Sequence, residues 1–108
     1  MKREYTDFLR DMLENAQRAI QFTKGMSYEV FAKDDKTVYA VIRAVEIIGE
    51  AAANIPEEVC AEYSNVPWRE VKGMRNKLVH QYFGINMEVV WQTIQEDLPM
   101  LIEALKNA

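Results

Sequence analysis

The feature that most restricts the fold is residues 36–54, where apolar side chains are too numerous for one stripe of a helix. On a helix drawn through this segment, the apolar positions surround most of the axis: Val38, Tyr39, Ala40, Val41, Ile42, Ala44, Val45, Ile47, Ile48, Ala51 and Ala52. A helix of this kind is buried on more than one side. Asp34 or Asp35 is a suitable N-cap. We predict a central helix covered by other helices, with a second subunit as a candidate for part of the cover.

The rest of the chain divides into helical segments with apolar side chains at three- and four-residue spacing. Their predicted ranges are 5–24, 57–63, 67–84 and a last helix that starts after Gly84 with Asn86 as its N-cap, with a connection over 26–33. Aromatic side chains of that connection, Tyr28 and Phe31, are expected to dock on the bundle. Pro99 lacks a backbone donor, so we expect a kink near 95–98. No strand, repeat or low-complexity tract is evident. The sequence predicts an all-α bundle of four main helices plus a short one, in one domain over residues 1–108.

Composition restricts the class of protein. The chain has 108 residues, 49% hydrophobic and 28% charged, which fits one globular domain. No apolar run approaches the ~18 residues of a membrane span, and no signal-peptide pattern is present. A single cysteine, Cys60, favours the reducing cytoplasm. The net charge of −4 argues against extensive nonspecific binding to a nucleic-acid backbone, but it is compatible with a local site for one or two phosphates.

Segment 67–84 holds most of the side chains suited to chemistry. It contains the chain's single histidine, His80, together with Arg75 and Asn76. Pro67 suits the first position of a helix, and Gly84 suits its end, where a left-handed residue is common. At about 100° per residue, Asn76 and His80 share a face, whereas Arg75 and His80 lie roughly 140° apart. Either the helix loosens near 81–84, or a second copy of the chain completes the site.

Arg75 has two interpretations. Its stem packs on the bundle while its head reaches solvent or a carboxylate, or its planar fork is aimed at a phosphate. Glu50 also has two. Arg43, Glu46, Glu50 and Asn54 form one polar stripe on the central helix. That stripe is a solvated face with an Arg43–Glu46 pair, or it directs Glu50 toward Arg75 or His80.

The available chemistry favours catalysis without a metal or cofactor. The sequence lacks Glu-x-x-His, Cys-x-x-Cys and glycine-rich phosphate motifs, so we predict no metal ligands. Histidine, arginine and an amide suit RNA cleavage, in which the 2′-OH attacks the adjacent phosphate. Histidine transfers protons near neutral pH, and arginine stabilises the crowded anion. One chain supplies one histidine, so a two-fold dimer that supplies two is the mechanistic expectation.

Several motifs together resemble the HEPN superfamily, specifically its HepT-like branch. They are I-G-E-A-A at 48–52, P-W-R-E-V at 67–71, R-N-K-L-V-H-Q-Y at 75–82, Trp91, and Q-E-D-L-P at 95–99. The likeness covers nearly the whole chain. An R-x4-H spacing alone is a weak signal, whereas its combination with these flanking motifs is specific.

The resemblance implies a helical homodimer with its R-x4-H motifs in a cleft between subunits. It implies a metal-independent ribonuclease toxin, with Arg75 and His80 catalytic and Asn76 the polar residue beside the arginine. Tyr82 matches the tyrosine that receives AMP from the partner, a minimal nucleotidyltransferase antitoxin. Two alternatives remain: a non-catalytic helical partner of a nucleotidyltransferase, and a purely structural interaction bundle.

Overall fold

The computed structural model describes residues 4–80 and 84–106, and the fold is all-α. Its elements in chain order are α1 (Tyr5–Phe22), α2 (Tyr28–Ala32), α3 (Asp35–Ala53), α4 (Glu57–Glu62), α5 (Trp68–Lys72), α6 (Met74–Leu78), β1 (Val79–His80), β2 (Gly84–Ile85), α7 (Met87–Gln92), a π-helical turn (Thr93–Asp97) and α8 (Leu98–Lys106). None of the described helices combines the length and the apolar character needed to cross a membrane.

Helix α3 lies at the centre of the fold, as its composition predicts. It packs against α1, α2, α5 and α6, and Val41, Val45 and Ile48 are fully buried. These neighbours from the same chain cover most of its apolar surface, although Tyr39 remains 65% exposed. Contacts within one chain therefore account for the apolarity of α3, which gives no separate evidence for a second subunit.

Asp34 caps α3, which confirms one of the two predicted caps. Its carboxylate accepts hydrogen bonds from the Thr37 backbone N–H at 3.1 Å and from the Thr37 hydroxyl at 2.8 Å. Both bonds favour the ionised carboxylate, the backbone bond most, so they lower the pKa of Asp34. The cap is therefore fully formed above the ordinary carboxyl range and is lost as the pH falls through the lowered pKa.

The single helix predicted over 67–84 is wrong. It is interrupted at Gly73 and ends at Leu78, where Val79 turns to extended backbone with φ −126° and ψ 122°. Strand β1 then pairs antiparallel with β2, so the expectation of no strand is also wrong. The Asn86 N–H donates to the Leu78 carbonyl at 2.8 Å and satisfies an acceptor at the helix end. Gly84 does have a positive φ of 78°, as predicted, but it lies in β2 and not at the end of a helix.

The last helical region begins where the sequence predicts. Asn86 caps α7, because its side-chain oxygen accepts from the Val89 N–H at 3.3 Å. The π-helical turn directly precedes the helix that contains Pro99, so the irregularity expected near 95–98 takes this form. The missing N–H of proline leaves a carbonyl one turn earlier without its usual donor, which favours such a departure from α-helical bonding.

The aromatic side chains of α2 dock on α7, as expected. The Phe31 and Trp91 ring centroids are 5.3 Å apart, and Tyr28 meets Trp91 edge to face at 6.1 Å. Aromatic pairs at these separations and tilts add to the stability gained by burying their area. Because Phe31 is fully buried, this short helix anchors the connection between α1 and α3.

Gly49 permits α3 and α5 to approach closely. A Cβ atom at this position would lie 3.3 Å from the Lys72 carbonyl oxygen and 3.4 Å from that of Val71. Both neighbours are backbone atoms, which cannot rotate away as a flexible side chain can. The C-terminal end of α5, and hence the start of α6, therefore lies so close to α3 that only glycine fits at position 49 without a shift of the backbone.

We expect Gly49→Ala to be less stable than Gly73→Ala. Alanine gains about 1 kcal/mol of helix propensity over glycine, but overpacking against fixed backbone costs about 1–3 kcal/mol. At Gly73, a Cβ would meet only the Arg69 carbonyl at an ordinary 3.7 Å, and φ is −98°. Urea unfolding followed by circular dichroism, at equal protein concentrations, measures the difference. Equal or higher stability of Gly49→Ala would contradict the proposed constraint.

Candidate functional site

Arg75 lies on α6 and points toward α3. Its side chain is 46% exposed, and its Nε lies 3.5 Å from Oε2 of Glu46. The flanking side chains Met74 and Leu78 are buried, so the short helix is anchored on both sides of the arginine. This geometry matches the first interpretation of Arg75, in which the stem lies on the bundle and the head reaches a carboxylate. The exposed remainder of the guanidinium is accessible to an anion.

The carboxylate that reaches Arg75 belongs to Glu46 and not to Glu50. Arg43 pairs with both, because its Nη1 lies 3.6 Å from Oε1 of Glu46 and 3.7 Å from Oε1 of Glu50. The predicted Arg43–Glu46 pair is therefore present. Glu46 divides its two oxygens between two arginines, one on its own helix and one on α6. The polar stripe of α3 was visible in the sequence, but its register against α6 was not.

These charged groups border an open depression of about 300 Å³ between α3 and the α5–α6 segment. It is lined by Glu46, Gly49, Glu50, Ala53, Lys72 and Arg75. Lys72, which is not one of the predicted site residues, adds a second cation to the lining. The lining combines two cations with two carboxylates, so an anion that enters meets charges of both signs.

The other predicted site residues are only partly described. Asn76 is exposed on α6, and its backbone N–H donates to the Gly73 carbonyl at 3.1 Å. His80 pairs through its backbone with Gly84, but its side chain lies outside the described part of the chain. Tyr82 also lies outside the described residues. Because α6 ends at Leu78, Asn76 and His80 do not share a helical face, and the predicted angle between Arg75 and His80 does not apply.

A larger cavity lies on the other side of α5 and α6, beside α8. It measures about 440 Å³ and is mostly apolar, with Val71, Met74 and Leu101 in its wall. Among the predicted site residues whose side chains the structure describes, Glu50, Arg75 and Asn76, none lines it. The smaller depression is therefore the better candidate for chemistry, since it holds the exposed head of Arg75.

The fold and the site define a class of small all-α domains that carry an R-x4-H segment, with the arginine exposed beside a central helix. Within that class, the chain belongs to the HepT-like ribonuclease family, because the model described as "Ribonuclease HepT-like" matches residues 12–108. The resemblance read from the motifs is thereby confirmed.

Individual relatives agree with this family. The chain is 46% identical over 101 residues to "Probable ribonuclease HepT" of Thermococcus cleftensis, covering 94% of this chain and 92% of the relative. It is 43% identical over 106 residues to a "Putative RNase" of Methanocaldococcus jannaschii, covering 98% and 88% of the two chains. No solved structure matches this chain.

We expect Arg75→Ala to leave the fold intact, unlike Leu78→Ala. A partly exposed ion pair contributes at most about 1 kcal/mol, because solvent screens it. Leu78 is fully buried, and truncation of a buried leucine costs about 2–5 kcal/mol. Thermal unfolding should show a small change for the first variant and a large drop for the second. A large drop for Arg75→Ala would make the arginine chiefly structural.

Proposed function

We propose that this protein is a metal-independent endoribonuclease, the toxin of a toxin–antitoxin pair, and that it uses Arg75 and His80 to cleave RNA in the cytoplasm. Membership of the HepT-like family and the names of its relatives support a ribonuclease. The structural observation that carries the proposal is the exposure of Arg75 at an open depression, where a phosphate can reach its guanidinium.

Each residue has a defined task in the proposed reaction. The 2′-oxygen of the RNA attacks the adjacent phosphorus and loses its proton to a base. The 5′-oxygen then leaves with its bonding electrons and takes a proton from an acid, which gives a 2′,3′-cyclic phosphate and a free 5′-hydroxyl. His80 serves in proton transfer, since imidazole exchanges protons near neutral pH. Arg75 stabilises the charge that builds on the phosphorane oxygens.

A two-fold homodimer would supply both proton-transfer groups. Each chain contributes one His80 and one Arg75, so two facing copies place an acid, a base and two guanidiniums in one cleft. Asn76 is exposed beside Arg75 and is available to hydrogen-bond the RNA. Glu50 supports the site indirectly, since it borders the depression and pairs with Arg43.

Purified protein should cleave single-stranded RNA in the presence of EDTA. Arg75→Ala and His80→Ala should each lower the rate by about 100-fold or more, in keeping with loss of an anion stabiliser or a proton-transfer group. Arg69→Ala is a matched control, because Arg69 is an exposed arginine on α5 that does not line the depression. Gel analysis with end-labelled RNA gives the rates and the cyclic-phosphate ends.

Two outcomes would reject the enzymatic proposal. Abolition by EDTA would make the reaction metal-dependent, and undiminished cleavage by both variants would remove the R-x4-H mechanism. Absence of cleavage by a well-folded wild-type protein that binds a nucleotidyltransferase would favour the alternative of a non-catalytic helical partner.

Silencing is proposed to occur at Tyr82 by transfer of AMP from a cognate minimal nucleotidyltransferase. The phenolic oxygen would attack the α-phosphorus of ATP, release pyrophosphate and give up its proton to a base or solvent. The resulting phosphodiester carries a negative charge near the catalytic motif in sequence. Such a charge repels the RNA backbone, which accounts for loss of activity.

Expression of the chain alone should arrest bacterial growth, and co-expression of the nucleotidyltransferase should relieve the arrest. Mass spectrometry should show a gain in multiples of one AMP in the wild type and none in Tyr82→Phe, whose toxicity should persist. The phenylalanine variant keeps the ring and lacks the accepting oxygen. A persistent gain in Tyr82→Phe would place the modification on another residue.

A further inference from the structure

The acidic residue in contact with the exposed arginine is Glu46, whereas one interpretation of the sequence assigned that contact to Glu50. Oε2 of Glu46 lies 3.5 Å from Nε of Arg75, while Oε1 lies 3.6 Å from Nη1 of Arg43. Two cations on opposite oxygens restrict the rotation of the carboxylate. The Glu46 side chain is also less exposed than either arginine, at 31%.

The carboxylate of Glu46 approaches Arg75 at its Nε, and this determines which donors of the guanidinium remain for another anion. A guanidinium offers donors on the Nε side and on the two terminal amino groups, in a rigid plane. The Glu46 carboxylate lies on the Nε side of the guanidinium, which leaves the donors of the terminal amino groups for a second anion. Those groups then match a phosphate, which accepts two parallel hydrogen bonds from an arginine fork.

Packing alone does not hold the arginine in this orientation. Nearly half of its side chain is exposed, and a long side chain at a surface samples many rotamers. Within the described part of the chain, Glu46 is its one ion-pair partner. The single positive charge of Arg43 lies close to the carboxylates of both Glu46 and Glu50. It therefore partly offsets their negative charge and limits the repulsion that they exert on an incoming phosphate.

We propose that Glu46 is a positioning residue for RNA cleavage: it holds the guanidinium plane of Arg75 so that the terminal amino groups meet the scissile phosphate. This inference rests on the proposed ribonuclease function and extends it to a residue outside the R-x4-H motif. Glu46 acts through Arg75 and does not itself contact the RNA.

Steady-state cleavage of a single-stranded RNA by Glu46→Gln tests the proposal. The glutamine keeps the size of the side chain and removes the charge that fixes Arg75. We expect kcat to fall about tenfold, because small displacements of a positioned group slow the chemical step. KM should not rise, since the loss of a negative charge does not weaken attraction for a polyanion. Glu46→Asp, which retains the charge, should recover part of the lost rate.

Two further variants separate this effect from a general change of charge. Glu50→Gln removes the same charge from the same depression without a contact to Arg75, so its effect should be smaller than that of Glu46→Gln. Glu62→Gln, on the exposed surface of α4, should cleave as the wild type does. Circular dichroism establishes that each variant is folded.

A double-mutant comparison separates positioning from a structural role. Arg75→Lys keeps a charge but lacks the planar fork, so Glu46→Gln should have no further effect on its residual rate. An equal loss in both backgrounds would show that Glu46 acts on folding or by another route, and would overturn the proposal. So would wild-type rates for Glu46→Gln when Arg75→Ala is inactive. Full activity of Arg75→Ala would instead reject the proposed function and this inference together.

Discussion

The structure depends on the burial of one helix, α3, whose core-facing side chains contact four neighbouring helices of the same chain. Burial of aliphatic side chains supplies the main favourable free energy of folding. The same helix also carries Arg43, Glu46 and Glu50 on the side that remains open to solvent. The core and the candidate site are therefore opposite faces of one rigid element. A displacement of α3 would change the packing and the site together.

Local signals in the sequence were sufficient for much of the fold. Asp34 and Asn86 cap helices by accepting hydrogen bonds from backbone N–H groups. Residue type and position indicate Asn86 and restrict the other cap to Asp34 or Asp35. The end at Leu78 does not follow from local sequence, because it depends on pairing of β1 with β2, which lie on either side of an intervening segment. The left-handed backbone of Gly84 was predicted correctly, but a hairpin and a helix end both accept such a glycine.

In the candidate site, too, some features can be predicted from the sequence and others cannot. Arg75 and its R-x4-H spacing can be read directly from the sequence, whereas the choice of Glu46 as its partner cannot. That choice depends on how far α5 and α6 lie from α3 and at what register. The distance is set by Gly49, where backbone carbonyls of α5 approach the helix. A contact between two elements is determined by packing, which residue periodicity alone does not specify.

The anchoring of α6 also affects how the exposed part of this helix can evolve. Met74 and Leu78 are buried at its two ends, while positions 75–77 between them are exposed. Substitutions at these three positions alter the surface offered to a ligand without removing a core side chain. Divergence in ligand preference is therefore compatible with an unchanged scaffold, and new variants at positions 76 and 77 can arise at little cost to folding.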